Sequence, residues 1–179
     1  MQDAPTPADP RVVLLAGLVV GRVQPTSRWG EVLWRPVALL PAPAEAAPWT
    51  PLGIEGLTER FYAGPVSLSL HRTETAYYRD NLESGAPRIW VALRPDGAEP
   101  PVEVVAVTLD PAEGEALTEA GDQVVDVVPM PAEIAAALAA YVAEHHVERA
   151  FVKRRRDRAD PEALALRTPA TPACGIDGE

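Results

Sequence analysis

The chain has 179 residues, 47% of them apolar and 23% charged, and carries a net charge of −10. This length favours one domain with tails, and the apolar fraction is enough for a core. The charge argues against a surface built for nucleic acid, and the lone Cys174 excludes an intramolecular disulfide framework and cysteine-based metal clusters. No apolar run reaches the roughly 20 residues of a membrane-spanning helix.

Residues 1–10 hold three prolines and no apolar periodicity, which predicts a disordered tail. Arg11–Val23 is rich in Val and Leu and reads as a strand bent at Gly17. It follows Asp3 and Asp9 rather than a basic stretch, so it makes a poor signal peptide and the protein is expected in the cytoplasm. Glu31–Leu40 is a second strand. Its Pro36 lacks an amide donor and demands an edge or a bulge. A Pro/Ala loop follows through Pro48. Glu59–Ala63 and Val66–Arg72 read as a hairpin around Gly64-Pro65. In the second of these, Val66, Leu68 and Leu70 alternate with Ser67, Ser69 and His71, which gives one apolar and one polar face.

Thr73–Leu82 has helical composition, and Gly85-Ala86-Pro87 stops it. Arg88–Arg94 and Val102–Leu109 are strands. Asp110-Pro111 opens a short helix, with Asp as its cap and Pro in its first turn. Gln123–Val128 is a further strand. The longest helix is expected from Ala132 to about Arg156, with Ile134, Leu138, Tyr141, His145 and Val152 on one stripe. These elements do not alternate as βαβ. They predict an α+β fold: a mostly antiparallel sheet of about six to seven strands, one long C-terminal helix packed on it, and two short helices. The folded domain is expected to span residues 11–158, with a flexible tail over 159–179.

Charge is segregated along the chain. From Pro95 to Glu148 there is no Lys or Arg, against twelve acidic residues. Then Arg149, Lys153, Arg154, Arg155, Arg156 and Arg158 fall within ten positions. This cluster reads either as a solvated helix end or as a docking patch for an acidic partner or an anionic cofactor.

A second candidate is the strand-to-helix junction of His71, Arg72, Glu74 and Tyr77, whose cations suit a phosphate or carboxylate. His145 and His146 are adjacent on the expected helix and point about 100° apart, so they cannot chelate one ion together. His145 lies on the apolar stripe as a core histidine, and His146 lies on the flank, partly exposed. No recognised metal spacing, phosphate-binding loop or nucleophile elbow is present, so no cofactor, metal or catalytic residue is assigned. Trp34 and Trp90 fall inside strands as core anchors. Trp29 and Trp49 fall near loops, and an exposed Trp beside Arg28 and Arg35 suits an interaction anchor.

The segments Trp34–Pro41, Leu70–Ser84, Pro87–Arg94, Val128–Pro131 and His145–Leu164, taken in this order, resemble a bacterial family of short domains of unknown function. Its members are often encoded beside molybdenum-dependent formate dehydrogenases and their maturation factors. Some carry a molybdopterin-guanine dinucleotide biosynthesis label. The resemblance implies a non-enzymatic accessory factor in maturation or assembly of such a dehydrogenase. Its partner would be a dehydrogenase subunit or maturation factor. The alternative is a protein or enzyme that binds a pterin, nucleotide or other anion at the His71–Tyr77 junction. RNA binding by the basic cluster is the weakest reading, because the run is short and the total charge opposes it.

Overall fold

The computed structural model describes residues 12–97, 100–119 and 121–147. The expected tails, 1–10 and 159–179, and the whole basic cluster from Arg149 to Arg158 lie outside the described residues. The elements in order are β1 (Val12–Val23), β2 (Leu33–Leu40), β3 (Thr50–Glu55) and β4 (Thr58–Leu70), then α1 (Thr75–Glu83) after one 3-10 turn. There follow β5 (Arg88–Pro95), β6 (Val102–Thr108), α2 (Pro111–Thr118), β7 (Val124–Pro129) and α3 (Ala132–His145).

Among the described residues seven strands form two antiparallel sheets and not one. The first has the order β2-β1-β4-β3 and the second β6-β5-β7. The expectation of a single sheet fails at Gly64-Pro65. This pair is not a turn, because β4 runs straight through it. Gly64 adopts φ +124, a conformation L side chains rarely take, and the register against β1 slips between Leu18 and Val19. The residue left over at the slip is Ala63, while Gly64 and Pro65 keep their places opposite Leu18 and Gly17, so β4 stays continuous and pairs with β1 on one side and, over residues 58–62, with β3 on the other. Pro36 behaves as its chemistry requires: β2 is an edge strand, and its register slips where Pro36 faces Val20.

The core lies between the two sheets. Ala16, Leu18, Val20, Leu68 and Leu70 of the first sheet meet Ile89, Val91, Leu93 and Val128 of the second. α1 and α3 contribute Tyr78, Ile134, Leu138 and Tyr141 to the same cluster. Around Gly17 and Tyr62 the outer face of the first sheet is covered by the Pro/Ala loop, whose Ala44 N–H donates to the Tyr62 hydroxyl (3.1 Å), while Val13 and Leu15 on the same face stay exposed. On the outer face of the second sheet, α2 lies with Gly114 against the Trp90 ring. Asp110 caps α2 as its sequence predicts, accepting from the Ala112 N–H at 2.8 Å.

The long C-terminal helix is the second correction. The apolar stripe holds, with Ile134, Leu138 and Tyr141 buried. The helix nevertheless ends at His145, and His146 is extended at φ −73 and ψ 125. A tertiary tie accounts for the stop. The His146 ring reaches Thr75 and Arg79 of α1, each at 3.1 Å, and anchors the chain where helix propensity alone would carry it on. Among the described residues no helix is long and apolar enough to cross a membrane.

Candidate functional site

The junction singled out in the sequence forms a tight turn. The His71 backbone N–H donates to the Tyr78 hydroxyl (3.2 Å), and the Thr73 hydroxyl donates to Glu74 (2.7 Å). Arg72 and Tyr77 are exposed, while His71 and Glu74 are half-buried. Ser67 and Ser69 face solvent and Leu68 and Leu70 face the core, as the alternation requires. The four junction residues are neighbours along the turn, and the two cavities described below are lined by none of them.

The histidines have separate roles. His145 keeps only 13% of its side chain exposed and stacks edge-on against Tyr141, with ring centres 4.5 Å apart. Arginine can only donate, so Nε2 of His146 accepts from Arg79 and Nδ1 carries the proton. That proton goes to the Thr75 hydroxyl, which donates in turn to the Arg72 carbonyl (3.2 Å). The chain of bonds is satisfied in one direction and fixes the tautomer. Among the described residues no cluster of three or more His, Cys, Asp or Glu could hold a metal ion.

Burial pushes the Tyr78 phenol up to about 12, against a smaller opposing effect of the His71 N–H. The folded protein therefore keeps a proton that the unfolded chain loses near pH 10. Stability falls as pH rises from about 10 to about 12. Tyr78→Phe is expected to cost about 1 kcal/mol at neutral pH, through loss of the bond to His71. Across the alkaline window the wild type should then lose about 2–3 kcal/mol relative to the variant. Urea unfolding at a series of alkaline pH values reads this directly. Parallel curves for the two proteins would exclude it.

The pronounced concavity lies at the other end of the sheets. β4 ends beside α1, and β7 runs into α3, so the helices close one end. At the opposite end β2, β6 and β7 begin and β5 finishes. There the sheets enclose a cavity of about 750 Å³, with Leu33, Trp34, Leu93, Val102 and Val124 as apolar walls and Glu31, Arg35 and Asp126 as polar groups. Val102 also borders a second cavity of about 330 Å³, shared with Trp49, Ala63, Val104, Asp96 and Glu103. An aromatic cluster stands at this end. Trp34 meets Trp49 edge-on at 6.1 Å and Phe61 at 5.5 Å.

Trp49 is half-buried and packs against the core, contrary to the exposure expected of a loop residue. It is the one non-glycine residue with positive φ (66°) among the described residues, a strain of about 1 kcal/mol or more. Its N–H donates to the Tyr62 carbonyl, which holds the strained backbone in place.

The rim is apolar as well. Leu33 is 62% exposed, Val124 50% and Val32 45%. Trp29, two residues before Glu31, is 87% exposed, with the Arg28 guanidinium over its ring at 5.8 Å. Arg35 and Asp126 join the two sheets across the cavity wall at 2.7 Å. Sequence reasoning reached Trp29, Arg28 and Arg35 as a possible anchor. It missed Leu33, Leu93, Val102, Val124 and Asp126 as partners, because they come from four strands and no local pattern links them.

The comparisons bear on identity alone. No curated protein and no solved structure matches the chain. A family model described as "Protein of unknown function (DUF3305)" matches residues 16–155, a span that covers both sheets and the aromatic end. The chain therefore belongs to this family of short domains of unknown function.

Proposed function

We propose that this protein is an accessory factor that holds a polypeptide segment of a partner at the open end of its two sheets. The cavity of about 750 Å³ with its exposed apolar rim carries this reading. A small ligand that fills the cavity would leave Trp29, 87% exposed and outside the lining, in water, whereas a longer segment covers it together with the lining residues Val32, Leu33 and Val124. Burying a Val or Leu side chain completely is worth about 1.5–3 kcal/mol. These three are about half exposed, so each contributes about 1 kcal/mol on capture. The resemblance of the Trp34–Pro41 and Leu70–Ser84 segments to domains encoded beside formate dehydrogenase genes supplies the partner: a subunit or maturation factor of a molybdenum-dependent formate dehydrogenase.

The test is affinity capture of the tagged full chain from its own bacterium grown with formate and molybdate, read by mass spectrometry. The wild type should recover a dehydrogenase component, and Leu33→Asp or Val124→Asp should reduce the recovery at least about tenfold. Both positions are exposed, so circular dichroism should show an intact fold. Equal recovery by the wild type and both variants would remove the cavity from the reading. Reversal of Arg154, Arg155 and Arg156 to Glu would then test the basic cluster in its place.

A further inference from the structure

We infer that the segment held at this end is extended, apolar at alternate positions, and flanked by Lys or Arg. The inference rests on the reading above and adds the chemistry of the partner. Its first support is the charge around the two cavities. Three of the arginines near them are already paired: Arg22 with Glu59 at 2.6 Å, Arg35 with Asp126 at 2.7 Å, and Arg94 with Glu103 at 2.8 Å. Glu31 on the larger cavity and Asp96 on the smaller one have no ion pair among the described residues. The opening therefore presents two carboxylates without an ion pair against a single such cation, Arg28, whose guanidinium lies over the Trp29 ring. An acidic segment would meet repulsion there, and a basic one would meet complementary charge.

The second support is the backbone. β2 and β7 both border the larger cavity, and each is the outermost strand of its sheet. An edge strand has one row of unpaired N–H and C=O groups, which an extended chain can bond. An extended chain turns alternate side chains to one side, and that spacing suits a wall made of Leu33, Val124 and Leu93. The aromatic ring of Trp34 in the same wall offers a face to an apolar or cationic side chain.

The experiment uses the full chain and two short labelled peptides that alternate Val with Thr. One ends in two arginines and the other in two glutamates. Binding is followed by fluorescence anisotropy at low salt, with intrinsic tryptophan emission as a second signal from Trp34 and Trp49. The arginine peptide should bind at least about tenfold more tightly than the glutamate peptide. The double variant Glu31→Lys with Asp96→Lys should erase that difference, and Leu33→Asp should weaken both peptides. Equal binding of the two peptides to the wild type would overturn the charge preference and leave the cavity as a docking site. Absence of binding by both, while partner capture remains sensitive to Leu33→Asp, would overturn the extended basic segment. Capture insensitive to Leu33→Asp would overturn the reading beneath.

Discussion

Asn81→Ala is expected to destabilise the fold by about 3–5 kcal/mol. Asn81 is 4% exposed and sits on the last turn of α1. Its amide nitrogen donates to the carbonyls of Arg88 and Leu109, both at 2.8 Å, and its amide oxygen accepts from the Arg88 N–H at 2.9 Å. One side chain thus ties the end of α1 to the first residue of β5 and to the exit of β6. The three bonds at about 1 kcal/mol net each contribute about 3 kcal/mol, and the Leu109 carbonyl left behind in a buried place adds up to about 2 kcal/mol.

Asn81→Asp is a sharper version. It keeps the acceptor for the Arg88 N–H but turns a carboxylate toward two carbonyl oxygens. That environment raises its folded-state pKa above the ordinary carboxylate range. The folded form then binds the proton more tightly than the unfolded chain does, so the deficit should shrink on acidification. Urea midpoints at neutral and mildly acidic pH measure both effects. A midpoint for Asn81→Ala within error of the wild type would show that the network contributes nothing.

The second large effect is expected at Gly114. In an exposed helix, Gly→Ala adds about 1 kcal/mol of stability. Here the sign should reverse. A Cβ built on Gly114 falls 2.3 Å from Trp90 Cγ and 2.4 Å from Cδ1, well inside contact distance. The ring belongs to β5, a central strand, so relief requires α2 to lift from the sheet. Overpacking of this kind costs about 1–3 kcal/mol and exceeds the propensity gain. Thermal unfolding should show a lower midpoint for Gly114→Ala. The companion variant Trp90→Val withdraws the ring, so the double variant should be more stable than the sum of the two losses implies. Simple additivity, or a raised midpoint for Gly114→Ala alone, would contradict the contact.

What the sequence disclosed follows the range of the forces involved. Local chemistry was legible: the Asp110-Pro111 helix start, the Ser67–Leu70 alternation, the edge character that Pro36 imposes, and the buried stripe of α3. β3 escaped notice because Pro51 and Gly53 depress strand propensity. As an edge strand it also buries almost nothing, so no alternation marks it. Gly64-Pro65 reads as a turn by propensity and stays within the strand because β1 pairs with β4 on both sides of it. The end of α3 is set by Thr75 and Arg79, some seventy residues earlier in the chain. The division into two sheets and the cavity between them have the same origin, since both arise from pairings distant in sequence.

One pairing also constrains how the chain is made. Val12 opens β1 and pairs with Leu70, which closes β4. β1 is nearly continuous in apolar residues and is buried on both faces from Ala16 to Val20. As the chain leaves the ribosome, β2 arrives soon enough to cover one edge of β1. The other edge must wait for the whole of β4. At about 5–20 residues per second that wait lasts several seconds, with a sticky strand edge open to other nascent chains. The cell that makes this protein is therefore expected to depend on a chaperone, or on slow expression, to obtain it in folded form.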